Sequence, residues 1–309
     1  MTIRLGLQIP NFSYGTPVAE LFPTVVAQAR EAEAAGFDAV FLMDHFYQLP
    51  MLGSPDQPML EAYTALGALA TATERMLLGT LVTGNTYRNP TLLAKIITTL
   101  DVISQGRAVL GVGTGWFELE HTQLGFEFGT FTERFAKLDE ALQILLPMIA
   151  GERVSHTGRY YNTEQAMAEP RFRDHIPLLI GGSGEKKTFG MAARYFDHLN
   201  IIASFAELPG KIAALTQRCQ EADRDPATLE TSVLLSAVPD PNFTEDMVPR
   251  AMKGRVVVGS PQRIAETIQT NVVDVGVDGV IVNLPSYVPG SITKLGEALR
   301  PVVGSGRLK

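Results

Sequence analysis

Short apolar runs alternate with amphipathic stretches of helical period along nearly the whole chain, and that alternation restricts the folds open to it. Residues 3–9, 39–42, 76–82, 108–112, 177–180, 198–202, 232–238 and 280–282 read as strands. Residues 18–35, 62–71, a stretch opened by Asn89 and Pro90, and residues 131–149, 185–196, 208–222, 261–275 and 292–302 read as helices. The clearest is 131–149, where Phe131, Phe135, Leu138, Leu142, Leu145 and Ile149 form one apolar stripe at spacings of three and four. Thr16 with Pro17, Asn89 with Pro90 and Ser260 with Pro261 supply helix starts, and Gly36 and Gly106 supply stops. Continuously apolar strands alternating with helices imply a parallel sheet covered on its outside. Eight such pairs predict a single (β/α)8 TIM barrel over residues 1–309. The turn-rich stretches near 151–176, with room for one short hairpin, and near 239–258 read as insertions. An open doubly wound sheet is the alternative, because pattern alone does not show closure.

Composition narrows the function. Apolar residues make up 45% and charged residues 19%, enough to bury a large core. A net charge of −7 argues against nucleic acid as a partner, whereas an anionic cofactor can still be held locally by backbone N–H groups. Cys219 is the only cysteine, so neither an internal disulfide nor a cysteine-rich zinc site is expected. The histidines at 45, 121, 156, 175 and 198 lack metal-ligand spacing, and no metal is expected. A G-x-S-x-G nucleophile elbow is absent. Residues 1–10 do not read as a signal peptide, and no apolar run reaches the roughly 18 residues of a membrane span. A soluble, cytoplasmic protein without a membrane partner is expected.

In a barrel, chemistry sits at the C-terminal ends of the strands. After the second strand stand Asp44 and His45, an acid beside an imidazole, read as a hydrogen-bonding acid and a general acid or base. After the fifth stand Gly181, Gly182, Ser183 and Gly184, leading straight into a helix. They suit a phosphate at a helix N-terminus, or equally a tight turn with Ser183 as the helix cap. Lys186 and Lys187 beyond them read as solvated. Gly111, Gly113 and Gly115 lack dinucleotide-fingerprint spacing and read as close approach of backbone to a flat ring. Trp116 reads either as a shield over a ligand or as a wall anchor. Glu118, Glu120 and His121 read as a solvated helix start. Arg88 has the option of an anionic substrate group, although Asn89 and Pro90 already explain that stretch by capping. The loop at 47–57 and the two insertions are expected to roof the pocket.

Taken together, the stretches at 41–45, 79–90, 110–118 and 180–187 resemble the luciferase-like monooxygenase superfamily, and within it the oxidoreductases that use the deazaflavin coenzyme F420. That resemblance implies a barrel with a tricyclic ring in its mouth. It implies a non-prolyl cis bond between Leu81 and Val82 behind the ring. Polar contacts map to Asp44, Thr83 and the glycine turn at 181–184, with the phosphate near Gly182, Ser183 and Gly184. It places His45 and Trp116 at the reaction. One sugar-phosphate dehydrogenase group of the superfamily has a catalytic glutamate where this chain has Trp116, which argues against sugar-phosphate oxidation. A small organic substrate and a homodimer are implied. FMN, with monooxygenase chemistry, is the alternative cofactor. A phosphate-binding isomerase or aldolase and a non-catalytic cofactor carrier are the competing classes.

Overall fold

A computed structural model describes residues 2–248, 250–304 and 306. Positions 1, 249, 305 and 307–309 lie outside the described residues, among them one position of the second expected insertion. The strands are β1 (Leu5–Ile9), β2 (Ala39–Leu42), β3 (Leu77–Thr80), β4 (Thr83–Gly84), β5 (Ala108–Gly113), β6 (Val154–Thr157), β7 (Asn162–Ala166), β8 (Leu178–Gly182), β9 (His198–Ile201), β10 (Glu230–Val238), β11 (Val256–Val258) and β12 (Gly279–Asn283). The α-helices are α1 (Val18–Ala34), α2 (Ala62–Ala72), α3 (Pro90–Ile103), α4 (Glu118–Leu124), α5 (Phe131–Ile149), α6 (Lys187–Tyr195), α7 (Leu208–Glu221), α8 (Pro261–Ile268) and α9 (Ser291–Val303).

Parallel pairing runs β1–β2–β3–β5–β8–β9–β10–β12 and returns from β12 to β1. The eight-stranded ring is therefore closed, and the open doubly wound alternative is excluded. Side-chain alternation divides the core in two, as the two-residue period of a strand requires. Val40, Leu42, Leu110 and Val112 face the helices in the large outer core. Ala39, Phe41, Val109, Leu179 and Ile281 fill the barrel itself. Phe41 is fully buried, and a side chain of that kind contributes about 1.5–3 kcal/mol through burial. Cys219 is sealed on α7.

Several local expectations are corrected. The third strand does not run to Val82. It stops at Thr80, passes through a cis bond at Leu81-Val82, and resumes as β4, which pairs with β5. The first helix has Pro17 at its N-cap, and Thr16 makes no capping bond. Asn89 and Ser260 do cap α3 and α8, accepting from Thr91 N–H and Arg263 N–H. The helix read to Val275 is regular only to Ile268 and widens into a π-helical turn over Gln269–Val273. The hairpin in the first insertion is present as antiparallel β6–β7. Two elements were not foreseen, β11 beside β10 and the short helix α4.

Candidate active site

The alternation that fills the lower barrel with apolar side chains turns polar at its C-terminal rim. Gln8 on β1, Asn200 on β9, Ser236 on β10 and Asn283 on β12 line one cavity of about 690 Å3. Asp44, His45, Leu81, Val82, Thr83, Trp116, Gly181, Gly182, Ser183 and Gly184 line the same cavity, whereas Arg88 and Gly111 do not.

The back of the cavity is formed where β3 breaks. Gln8 Nε2 donates to the Leu81 carbonyl at 3.1 Å and accepts on Oε1 from Asn283 Nδ2 at 3.0 Å, which ties β1, β3 and β12 together. Val82 projects toward the glycines of β5 and β8. A Cβ added at Gly113 would lie 2.9 Å from Val82 Cγ2, and one at Gly111 would lie 2.0 Å from the Thr80 carbonyl. Gly111 and Gly113 thus accept the protein's own bulge, and Gly113 and Gly115 also line the cavity. Gly113→Ala is expected to cost about 1–3 kcal/mol by overpacking. A lower urea midpoint would register it, and adding Val82→Ala should restore most of the loss.

Behind β4 lies a polar wall. Thr80 Oγ1 donates to the Gly111 carbonyl at 3.1 Å, which commits its one proton. Thr83 must then donate to Thr80 at 2.6 Å, and Tyr63 to Thr83 at 2.7 Å. Burial pushes the Tyr63 hydroxyl up to about 12, so it stays a donor. Asp44 is 2% exposed. Arg88 grips it bidentately at 2.6 and 2.9 Å, and Gly84 N–H donates to it at 3.2 Å. Burial drives the Asp44 carboxyl upward while the guanidinium opposes that shift. Arg88 also bonds Glu61 at 2.6 Å. The expectation that Arg88 reaches an anionic substrate is corrected, since both of its forks are engaged by carboxylates of the chain.

Glu120 is the candidate that sequence reasoning passed over. It is fully buried, which corrects the reading of a solvated helix start; of the other two residues of that cluster, Glu118 is exposed and His121 is buried. One carboxylate oxygen accepts from the N–H groups of Phe46 and, at 2.9 Å, Tyr47. The other accepts from His45 Nδ1 at 2.9 Å and from the Tyr87 hydroxyl at 2.5 Å. Burial alone would raise this carboxyl, but the bonds from His45, Tyr87 and Tyr47 outweigh it and hold the group below the usual carboxylate range. With Nδ1 donating to a carboxylate, Nε2 is left as the ring nitrogen open to a ligand. The available signal was the five-residue run from Trp116 to Glu120, which sets a carboxylate in the first turn of the helix that follows a strand end.

The glycine turn opens toward α6. Gly182 has φ +152°, and Ser183 does not cap the helix, whose N-cap is Lys186 without a side-chain bond. The turn-and-cap reading of Ser183 is thereby corrected. Lys211 Nζ steadies the turn, donating to the Ser183 carbonyl at 3.0 Å and to Glu185 at 2.8 Å. Lys187 is exposed and lies 5.1 Å over the Phe131 ring. The roof comes from Leu49, Met51 and Leu52, from Met252 and Arg255 of the second insertion, and from Phe131 and Phe135 of α5. The first insertion contributes no lining residue, contrary to expectation.

A parallel barrel with one deep, mixed polar and apolar mouth at its strand ends defines the class of protein. The chain belongs to the luciferase-like monooxygenase family, whose model matches residues 3–245. It is 42% identical over 158 residues to an F420-dependent glucose-6-phosphate dehydrogenase of Microbacterium testaceum (strain StLB037), covering 51% of this chain and 46% of that protein. It is 31% identical over 243 residues to one from Beutenbergia cavernae, covering 75% and 69%. The chain spans about half the length of the first of these relatives, and 52% of a third, from Nakamurella multipartita. Among solved structures, an F420-dependent secondary alcohol dehydrogenase in complex with an F420-acetone adduct superposes with a TM-score of 0.85 at 20% identity, over 99% of this chain and 100% of that one.

Proposed function

We propose that this chain, acting as a single-domain barrel, is an oxidoreductase that uses coenzyme F420 to exchange a hydride with a small organic substrate. The observation that carries this reading is the convergence of the glycine turn, the Leu81-Val82 bulge and the His45–Glu120 pair on one cavity. The names of the relatives support it.

The residues present fit such a cofactor. Asn200 Oδ1 and Asn283 Oδ1 are buried acceptors without a partner, and both residues line the cavity. Left unmet, each costs about 1–3 kcal/mol, so a ligand donor there is favoured. The α6 start offers backbone N–H groups and a helix dipole to a phosphate. Val82 would support a ring from behind, with Thr83 and Asp44 beside it.

When bound, the coenzyme supplies two-electron hydride chemistry. The chain's own work is positioning and proton handling. His45 Nε2 takes the proton that an alcohol oxygen gives up, or returns one to a carbonyl oxygen, while Glu120 holds the ring by Nδ1. Glu120 also stabilises the imidazolium that forms. Trp116 and Phe117 stand edge-on to the His45 ring at 5.8 and 5.9 Å and limit water around it.

An FMN-dependent monooxygenase is the competing reading, and the glycine turn serves either phosphate. Titration of the protein with each cofactor separates them. F420 is expected to bind and to turn over without oxygen uptake. Tighter FMN binding with oxygen consumption would overturn the proposal. Homodimer formation and a cytoplasmic location belong to the same proposal, the first checked by light scattering. No helix among the described residues is long and apolar enough to cross a membrane.

A further inference from the structure

We infer that three side chains inside the barrel, Glu230, His198 and Ser232, hold the Asn200 amide with its oxygen toward the cavity, and that Asn200 and Asn283 together give the site a preference for the reduced coenzyme. The second half rests on the cofactor reading given above, and the first stands on the chain alone. The barrel interior is apolar around Phe41, Val109, Leu179 and Ile281, yet one corner of it is polar. Strand alternation turns His198 and Asn200 of β9 and Ser232 of β10 inward, because Leu199, Ile201 and Val233 pack in the outer core. All three polar side chains belong to fully buried residues. Glu230, the first residue of β10, stands beneath them and accepts from the Thr2 hydroxyl at 2.6 Å.

Donor and acceptor capacities settle the direction of this column. Glu230 Oε2 and His198 Nδ1 are both buried without a hydrogen-bond partner among the described residues, and they lie 4.0 Å apart. Burial pushes the His198 imidazole down to about 4, so the ring carries one proton near neutral pH. Opposite a carboxylate oxygen that proton belongs on Nδ1. His198 Nε2 is then an acceptor and takes the Ser232 hydroxyl proton at 2.7 Å. Ser232 Oγ, its one proton committed, accepts from Asn200 Nδ2 at 2.8 Å. What remains for the cavity is Asn200 Oδ1, which has no partner among the described residues.

Asn283 reaches the same end by another route. The Leu81 carbonyl can only accept, so Gln8 turns its NH2 to it and its oxygen to Asn283. Asn283 must donate there, and its Oδ1 is left over. The cavity floor therefore presents two acceptors whose polarity is fixed from behind. On reduction a deazaflavin gains a hydride at a ring carbon and a proton at a ring nitrogen. Its oxidised pyrimidine ring carries one N–H and its reduced ring carries two. Two acceptors match the reduced form, whereas the bare nitrogen of the oxidised form sets one lone pair against another.

The test titrates the protein, without oxygen, with oxidised and with reduced F420. Emission of Trp116, the single tryptophan of the chain, reports both. The reduced form is expected to bind about five- to tenfold tighter, the scale of one further hydrogen bond. Glu230→Gln keeps the shape of the side chain but can donate to His198 Nδ1. That change moves the imidazole proton to Nε2, frees the Ser232 proton for the Asn200 oxygen, and turns the Asn200 NH2 toward the cavity. The affinity ratio is then expected to fall to one or below. Ser232→Ala, which removes the anchor of the amide, is expected to bring it to about one and serves if the first variant does not fold. Nitrogen-15 NMR of the unloaded protein is expected to show His198 protonated on Nδ1 in the parent and on Nε2 in Glu230→Gln. Equal affinities in the parent, a parent proton on Nε2, or a variant that weakens both forms alike and keeps the ratio overturns the inference. If neither form binds, the cofactor reading fails and the redox preference with it, whereas the imidazole signals still decide how Asn200 is held.

Discussion

Replacing Glu120 by glutamine is expected to lower kcat roughly a hundredfold, the scale of a misplaced general acid or base, while leaving F420 binding within a few-fold. The reason lies in how the carboxylate divides its work. One oxygen serves the backbone of Phe46 and Tyr47, and the other serves His45 and Tyr87. A glutamine keeps its carbonyl on the backbone side and sets its NH2 against two donors. His45 must then take the tautomer whose Nδ1 accepts, which puts the proton on Nε2 and removes the acceptor from the cavity. Glu120→Gln should therefore lose alcohol oxidation with KM little changed. An equal loss of cofactor binding would point to a merely structural role. The pH dependence follows from the lowered carboxyl. A carboxylate depressed in the folded state stabilises the fold above its unfolded value of about 4.3 and ceases to do so as pH falls through the lower folded value. Urea midpoints measured toward acid should fall more steeply for the parent than for Glu120→Gln.

Arg88→Met is expected to cost the largest stability of any single change at the site, about 3–5 kcal/mol, because it leaves a buried carboxylate without its partner. Asp44 is 2% exposed and loses both forks of the guanidinium at once. Burial already pushes its carboxyl upward, and losing the guanidinium removes the main influence that opposes that shift. The double variant Asp44→Asn with Arg88→Met should recover much of the loss, since the uncompensated charge is gone. Thermal or urea unfolding of the four proteins in this cycle gives the coupling directly. Additive losses would mean that the pair contributes little beyond packing.

The fold was legible because the barrel strands are largely apolar and the helices between them carry an apolar stripe, so the repeat could be counted. Closure was not, because it depends on β12 meeting β1 across nearly the whole chain. The strand-end residues were legible by position alone, and Asp44, His45, Thr83, Trp116 and the glycine turn do share one mouth. Partnerships were opaque. Glu120 looks solvated until α4 folds it against the N–H groups of Phe46 and Tyr47. Arg88 looks free until Asp44 and Glu61 close on it. Gly111 looks like a place for a ligand until the Thr80 carbonyl closes on it. In each case the deciding contact comes from a different strand end, which local pattern does not encode.

The cavity's two sides have different origins in the chain. Its floor is set by residues inside the ladder, such as Gln8, Asn200 and Asn283, whose placement is locked by strand register. Leu49, Met51, Trp116 and Met252 stand instead on connections outside the regular strands and helices or on short turns. Substitutions in those three connections can therefore reshape the upper wall of the cavity while the strand register that fixes its floor stays as it is.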